Sequence, residues 1–120
     1  MAQTFAREGA KVFLAGNTLA KLDAVAQQIT DVGGLAETAQ VDALDKQSIE
    51  DHLAAIVGKA GSLDISFNAI SLGDTQGAPL IEMEQARFSL PVVTAMQTHF
   101  LTATASARQM SKQRSGVIMA

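Results

Sequence analysis

Short strand-like runs alternate with amphipathic helical stretches along the whole 120-residue chain, and this alternation constrains the fold more than any other feature. The predicted strands are Lys11–Ala15, Leu35–Val41, Leu63–Phe67 and Gly116–Ala120. Between them, apolar side chains recur at spacings of three and four residues, as on one face of a helix. Strands that alternate with helices pair in parallel through right-handed crossovers. The sequence therefore predicts an α/β fold with a doubly wound parallel sheet and helices on both of its faces.

Helix ends are marked by residues that cap or stop helices. Asp45 is a good cap for the third predicted helix, and Gly61 closes it. The fourth predicted helix is long, with an apolar stripe that starts near Met83 and continues to Met110. Pro91 lies within that span and has no backbone N–H to donate, so we expect a kink or a break there.

Composition excludes several classes of protein. The chain has no Cys and only two His, which rules out disulfides, thiolate metal ligands and a cysteine nucleophile and leaves little for metal binding. Nine basic and twelve acidic residues give a net charge of -3, so no basic surface is expected for nucleic acid. No apolar run approaches the roughly 20 residues that span a bilayer, and the N-terminus does not read as a secretory signal. We therefore expect a cytoplasmic protein that binds neither nucleic acid nor membrane.

Candidate binding residues follow the first three predicted strands, because ligands of an open parallel sheet bind beyond the carboxyl ends of its strands. They are Gly16 and Asn17, Asp42 and Ala43, and Asn68, Ala69 and Ile70. A glycine lets a ligand approach the backbone, and Asn or Asp side chains can bond ribose hydroxyls, phosphates or an adenine amine. Turn chemistry alone explains each of these places equally well. The loop Gly73–Gly77 lacks the Lys and the Gly spacing of a P-loop, which favours an ordinary surface loop.

No catalytic constellation is recognisable in the chain. There is no G-x-S-x-G elbow, and neither His52 nor His99 has an acidic partner at a telling spacing. His52 lies among acidic residues and is expected to face solvent, whereas His99 is expected on the surface of the long helix or packed against it. We predict no catalytic residue and no metal ligand within these 120 residues.

Three stretches together resemble the short-chain dehydrogenase/reductase family, in its classical, reductase-like branch. Phe5–Val12 resembles the passage from the family's first helix into its second strand. Val41–Asp45 resembles the segment that contacts adenine after the third strand, and Leu63–Ala69 resembles the fourth strand with its Asn-Asn-Ala-Gly motif. Each stretch is weak alone, but their order and spacing carry the resemblance along essentially the whole chain.

The resemblance implies a Rossmann-like three-layer domain that binds NAD(P). Asp42 and Ala43 match the adenine-side positions of the family. Gly16 stands where members that prefer NAD often carry an acidic residue, so nothing there would repel a 2′-phosphate. Asn17 stands where many members that prefer NADP have Arg. The resemblance therefore implies NAD(P) as cofactor, with a slight preference for NADP.

The match to the family's fourth-strand motif is partial. Asn68 and Ala69 match its second Asn and its Ala, but Phe67 replaces the first Asn and Ile70 replaces the Gly. The backbone there would still approach the nicotinamide ribose, in a space narrowed by the Ile70 side chain. Ala95 stands where the family has the Asn of its catalytic tetrad, and a methyl group cannot hold the water that Asn positions.

By this resemblance, residues 1–120 are a partial NAD(P)-binding domain, an internal fragment of an oxidoreductase. The family's first strand and glycine-rich turn would precede Met1, and its catalytic Ser, Tyr and Lys would follow Ala120. The chain contains no Tyr at all, and in this family a Tyr moves the proton while the nicotinamide moves the hydride. The full-length form is expected to act on a small carbonyl or alcohol substrate; this piece alone is expected to be inactive.

Two other classes of protein remain open on the sequence. A non-catalytic Rossmann-like nucleotide-binding or interaction module would account for Phe67, Ile70 and Ala95. A flavodoxin-like or receiver-like domain fits the alternation but lacks a clustered acidic pocket. The stripe of the long helix through Phe100 and Met110 fits a homo-oligomer interface and a buried core face equally well.

The family's strand order, with its first strand between the second and the fourth, has a structural consequence. Without that strand, either Lys11–Ala15 pairs directly with Leu63–Phe67 or both present unpaired edges. We therefore expect the isolated chain to be marginally stable or prone to aggregation.

Overall fold

The computed structural model describes all 120 residues, Met1–Ala120, which form two compact units, Met1–Leu63 and Asp64–Ala120. The first unit contains α1 (Ala2–Arg7), β1 (Lys11–Gly16), α2 (Leu19–Thr30), β2 (Leu35–Gln40) and α3 (Lys46–Ala60). The second unit contains β3 (Ile65–Phe67), a short 3-10 turn (Leu80–Glu82), α4 (Gln85–Gln113) and β4 (Val117–Met119). Strands and helices alternate in the predicted order, which confirms the α/β class.

The first unit is built on a parallel pair of strands. The register of β1 and β2 runs from Lys11 opposite Leu35 to Gly16 opposite Gln40. Six apolar residues are buried around this pair: Ala6, Ile29, Val41, Ile49, Ile56 and Leu63. The turn between α2 and β2 passes close to the first of the helices, because a Cβ on Gly34 would lie 3.3 Å from that of Ala6.

Helices lie on both faces of this strand pair. The Thr38 hydroxyl donates a hydrogen bond to Asp23 of α2 at 2.7 Å, whereas the adjacent Glu37 is paired with Lys59 of α3 at 2.6 Å. Successive side chains of a strand point to opposite faces of the sheet, so α2 and α3 pack on opposite faces. The first unit is therefore a layer of helix, sheet and helix, as the doubly wound class requires.

Helix α3 has the two ends that the sequence predicts. The Asp45 carboxylate accepts a hydrogen bond from the backbone N–H of Gln47 at 3.0 Å, which satisfies one of the unpaired donors of the first turn. Gly61 closes the helix in the left-handed conformation, with φ of 83°. At the start of α2, Thr18 occupies the N-cap position, but its side chain makes no capping hydrogen bond.

Glu37 joins three elements of the first unit through two ion pairs. Its carboxylate lies 2.7 Å from Lys11 Nζ of β1 and 2.6 Å from Lys59 Nζ of α3. Hydrogen bonds from Lys11 and then from Lys59 lower the pKa of Glu37 from 4.5 to about 2. The Lys11 ammonium also lies 5.1 Å from the centre of the Phe13 ring, within range of a cation–π contact.

In the second unit, β3 and β4 pair in parallel, and α4 packs on them through hydroxyl groups. Ser66 and Ser106 are hydrogen bonded at 2.9 Å, and the Asn68 side-chain amide donates to Thr102 at 3.4 Å. Ser66 of β3 and Asn68 just after it are two residues apart, so their side chains point to the same face. Thr102 and Ser106 are four residues apart and lie on one face of α4. Thr98, 1% exposed, continues this face of α4 and donates its hydroxyl proton to a carbonyl of its own helix.

The long helix decides between alternatives that the sequence left open. Of the kink or break expected at Pro91, the break is excluded, since α4 is continuous from Gln85 to Gln113. The proline lies in the second turn, so its missing N–H removes one hydrogen bond near an end and leaves most of the helix intact. The stripe is divided: Met110 is buried, whereas Met96 and Phe100 are 70% and 66% exposed. No helix of the chain is both long enough and apolar enough to cross a bilayer.

Each of β1 and β3 is paired on one edge only. β1 has β2 as its single neighbour, and β3 has β4 as its single neighbour. The sequence allowed either direct pairing of these two strands or unpaired edges on both. The structure has the unpaired edges. Such edges offer backbone N–H and C=O groups to other chains.

Unpaired strand edges and exposed apolar side chains predict self-association of the purified chain. The exposed residues include Phe88, Val92, Met96 and Phe100. We expect the weight-average sedimentation coefficient to rise with protein concentration and the midpoint of thermal unfolding to depend on concentration. A monomer with a cooperative, concentration-independent transition would contradict this expectation.

The ion pairs of Glu37 predict acid sensitivity of the first unit. The folded pKa is lowered from 4.5 to about 2, so the stabilisation is complete above pH 4.5 and is lost as the pH falls through about 2. We expect the free energy of unfolding to fall less steeply between pH 5 and pH 2 in Glu37→Gln than in the unsubstituted chain, measured by urea denaturation. Glu8→Gln is the control, because Glu8 is exposed and makes no ion pair. Equal slopes for Glu37→Gln and the unsubstituted chain would refute the role of Glu37.

Candidate functional site

Four of the seven candidate residues meet at the carboxyl edge of β1 and β2. Gly16 is the last residue of β1 and pairs with Gln40, the last residue of β2. The backbone N–H of Val41 donates to the Gly16 carbonyl at 3.0 Å, which extends the pairing by one step. Asn17 directly follows β1, and Asp42 follows β2 after Val41. Two of the predicted binding segments, Gly16–Asn17 and Asp42–Ala43, therefore lie side by side at the ends of adjacent strands of one sheet.

The fold of the chain does not require the empty space beside Gly16. A Cβ on this residue would lie 3.6 and 3.8 Å from the two Cδ atoms of Leu22, which is ordinary van der Waals contact. Its φ angle is not positive, so the backbone does not require glycine either. Contrast Gly34, where a Cβ would lie 2.7 Å from Cγ2 of Ile29. The absence of a side chain at Gly16 therefore has no explanation in packing.

Asn17 presents a free side-chain amide next to Gly16. The residue is exposed, and its side chain makes no hydrogen bond within the chain. Its backbone carbonyl accepts a hydrogen bond from the side-chain amide of Gln40 at 3.1 Å. Sequence reasoning missed Gln40, because its role depends on strand register, which no local pattern gives.

Asp42 has the turn role that the sequence allowed. One carboxylate oxygen accepts the backbone N–H of Leu44 at 2.9 Å, which is an Asx turn. Its own N–H donates to the Ser48 hydroxyl of α3 at 3.2 Å. The second carboxylate oxygen makes no hydrogen bond within the chain, and Asp42 is exposed. The turn therefore uses one oxygen of the Asp42 carboxylate and leaves the other available to a ligand. The neighbouring Ala43 has only a methyl side chain.

The remaining three candidates follow β3 in the second unit. The Asn68 backbone N–H donates to the carbonyl of Met119 in β4 at 2.9 Å. Its side chain donates to Thr102 of α4 and accepts from the N–H of Ile70 at 3.2 Å. The Asn68 side chain therefore holds α4 and its own turn. Ala69 and Ile70 are both exposed.

His52 does not face solvent freely, contrary to the sequence prediction. It is half-buried and lines a narrow groove between the sheet and α3, together with Phe13, Ala39 and Lys59. Burial, and then the positive charge of Lys59, lower the pKa of His52. The acidic residues that flank it in sequence lie on other faces of the helix, so they gave the wrong expectation. His99 is exposed, as one of its two expected placements had it.

A second depression of the first unit lies away from the candidate residues. It has a volume of about 420 Å³ and is lined by Asp23, Ala26, Gln27, Thr30, Ala36, Glu37 and Thr38. It is open to solvent and is not enclosed by apolar side chains, unlike most small-molecule sites. We therefore place the candidate site at the carboxyl edge of the strands.

A sheet of parallel strands, with helices on both faces and polar groups at its carboxyl edge, defines a doubly wound α/β protein of the Rossmann type. The chain belongs to the short-chain dehydrogenase family, whose family model, described as short chain dehydrogenase, matches residues 1–120. This confirms the family resemblance found in the sequence.

Named relatives and a solved structure agree with this assignment. The chain is 29% identical over 132 residues to the uncharacterized oxidoreductase UxuB of Bacillus subtilis, covering 99% of the chain and 48% of that protein. It is 32% identical over 124 residues to L-rhamnose 1-dehydrogenase (NAD(P)(+)) of Azotobacter vinelandii, again covering 99% and 48%. A metagenomic short-chain oxidoreductase crystallised in complex with NADP matches with a TM-score of 0.83 and 26% identity, covering 98% of this chain and 52% of that one. The chain therefore spans about half the length of these proteins and carries the corresponding part of their fold.

The free space at Gly16 predicts that an added methyl group leaves the fold intact. In Gly16→Ala the methyl group meets only ordinary contacts, so we expect the urea midpoint of unfolding to change little. Gly34→Ala is the matched control, because its methyl group would overlap Ile29, and overpacking typically costs about 1–3 kcal/mol. Equal destabilisation by the two substitutions would show that packing requires glycine at both positions.

Proposed function

We propose that this chain supplies the adenosine-binding part, and some of the nicotinamide side, of an NAD(P)-dependent oxidoreductase. The whole protein would transfer a hydride between the nicotinamide and a small carbonyl or alcohol substrate. Membership of the short-chain dehydrogenase family supports this function over a non-catalytic module. The observation that carries the proposal is the open carboxyl edge of β1 and β2. There Gly16 has no side chain, the Asn17 side-chain amide has no partner within the chain, and one oxygen of the Asp42 carboxylate makes no hydrogen bond.

The residues at this edge fit the adenosine half of a dinucleotide. The oxygen of Asp42 that the turn leaves unused can accept a proton from the adenine amine, and Ala43 leaves room for the ring. Gly16 leaves space at the end of β1 for the ribose, and Asn17 offers an amide to the group on its 2′ carbon. Because Gly16 carries no carboxylate, a 2′-phosphate meets no repulsion there, which favours a slight preference for NADP. NADP is also the cofactor in the metagenomic structure.

In the second unit, Asn68, Ala69 and Ile70 are proposed to lie on the nicotinamide side of the cofactor. Internal hydrogen bonds already fix the Asn68 side chain, so it would shape the turn more than it would bind a ligand. Bound NAD(P) would supply the hydride acceptor or donor. The chain has no Tyr to move the accompanying proton, and Ala95 offers only a methyl group where the family has a water-holding Asn. We expect the proton transfer to depend on groups outside these residues.

The substrate class, a small carbonyl or alcohol, and a homo-oligomeric, cytoplasmic state of the whole protein remain predictions. The relative named L-rhamnose 1-dehydrogenase is consistent with an alcohol substrate. The exposed apolar stripe of α4 through Phe100 is consistent with an oligomer.

Binding of two half-cofactors tests the proposed function directly. We expect 2′,5′-ADP and 5′-AMP to shift backbone amide resonances of the purified chain at Asn17 and Ala43, with the tighter dissociation constant for 2′,5′-ADP. Gly16→Asp places a carboxylate beside the 2′-phosphate and should weaken 2′,5′-ADP roughly tenfold while 5′-AMP is little affected. Gly16→Ala, which adds bulk without charge at the same place, is the control and should change the two affinities by the same factor. No binding of either nucleotide by the unsubstituted chain would refute the proposal.

The absence of the family's Tyr predicts no turnover by the isolated chain. We expect no NAD(P)H oxidation above background with ketone or aldehyde substrates, followed by absorbance at 340 nm, because the chain contains no Tyr. Robust turnover would show that other groups within these residues supply the acid–base chemistry.

A further inference from the structure

The turn that carries Asn17 is held to β2 by two hydrogen bonds. One is the backbone bond from Val41 to the Gly16 carbonyl, which any pair of parallel strands would make. The other runs from the Gln40 side chain to the Asn17 carbonyl, at 3.1 Å. Only the second depends on the identity of a side chain, so the position of Asn17 depends on Gln40.

No other hydrogen bond of the chain reaches the Asn17 carbonyl. The Asn17 carbonyl precedes the first acceptor of α2, which is the Thr18 carbonyl, bonded by the N–H groups of Lys21 and Leu22. The Thr18 side chain does not cap the helix, and the Asn17 side chain has no internal partner. Without the Gln40 bond, no hydrogen bond would hold the carbonyl of the peptide group between Asn17 and Thr18, and the orientation of the Asn17 side chain would be less restricted.

We propose that Gln40 is a positioning residue for recognition of the cofactor's 2′ substituent. By binding the Asn17 carbonyl it orients the neighbouring side-chain amide, so that an N–H of Asn17 points to the group on the ribose 2′ carbon beside Gly16. Gln40 itself acts through the backbone of its neighbour and does not need to touch the ligand. This inference rests on the proposed function, since it requires adenosine to bind at this edge.

The bond geometry permits a clean test, because Gln40 binds the backbone of Asn17 and not its side chain. Asn17→Ala removes the amide that would meet the ligand but retains the carbonyl that Gln40 binds. The quantity to measure is the ratio of the dissociation constants of 5′-AMP and 2′,5′-ADP for the full 120-residue chain, by calorimetry or chemical-shift titration. The two nucleotides differ only by the 2′-phosphate, so this ratio reports its recognition and cancels effects common to both.

Five variants complete the experiment. Gln40→Ala removes the tether, and Gln40→Met removes it while keeping the length of the side chain in case the shorter residue impairs folding. The third variant is Asn17→Ala and the fourth combines it with Gln40→Ala. Gln27→Ala is the control, because Gln27 also loses an exposed side-chain hydrogen bond, to Asp31 at the other end of α2.

We expect both Gln40 variants to reduce the preference for 2′,5′-ADP by roughly threefold to tenfold, the effect of one lost hydrogen bond. Asn17→Ala should cause a similar loss, and the double variant should lose no more than Asn17→Ala alone. The Gln27 control should keep the ratio of the unsubstituted chain.

Three outcomes would overturn the inference. If 5′-AMP and 2′,5′-ADP weaken together, so that the ratio is unchanged, Gln40 has only a structural role. If the losses of the two single variants add in the double variant, Gln40 does not act through Asn17. If the unsubstituted chain binds neither nucleotide, the proposed function fails as well, which separates that failure from the first two.

Discussion

The register of β1 against β2 is the constraint on which the rest of the first unit depends. Side chains alternate between the faces of a strand, so a slip by one residue would exchange them. Glu37 would then leave its two lysines, and Thr38 would leave Asp23. The same slip would separate Gln40 from the turn after Gly16. One register therefore fixes the attachment of both helix layers and the geometry of the carboxyl edge at once.

Local chemistry made much of the fold predictable from the sequence. The ends of α3 follow from a side chain that caps and a glycine that accepts positive φ, at Asp45 and Gly61. Pro91 does not break α4, because the effect of a missing N–H depends on its position, and here it removes a single hydrogen bond near the start of a long helix. His52 was misplaced for a related reason: its neighbours in sequence are charged, but its own face of α3 points to the sheet.

The candidate site was predictable only in part. Strand ends and turn residues identified Gly16, Asn17 and Asp42, because ligand sites of parallel sheets lie where strands end. The partners of those residues depend on which strands are neighbours and in which register. Gln40 carries no motif, and its bond to Asn17 exists only because two strands end side by side. Sequence patterns of short range therefore locate such a site but do not describe its supporting contacts.

The two strand pairs differ in how much chain separates them. Lys11 meets Leu35 in the first pair, whereas Ile65 meets Val117 in the second, a loop more than twice as long. Each doubling of loop length raises the entropic cost of closing the loop by about 0.6 kcal/mol. Contacts between residues that are distant in sequence also slow folding. During synthesis the first pair can close while β4 is still untranslated. The pair of β3 and β4 can form only after the whole of α4 has been synthesised.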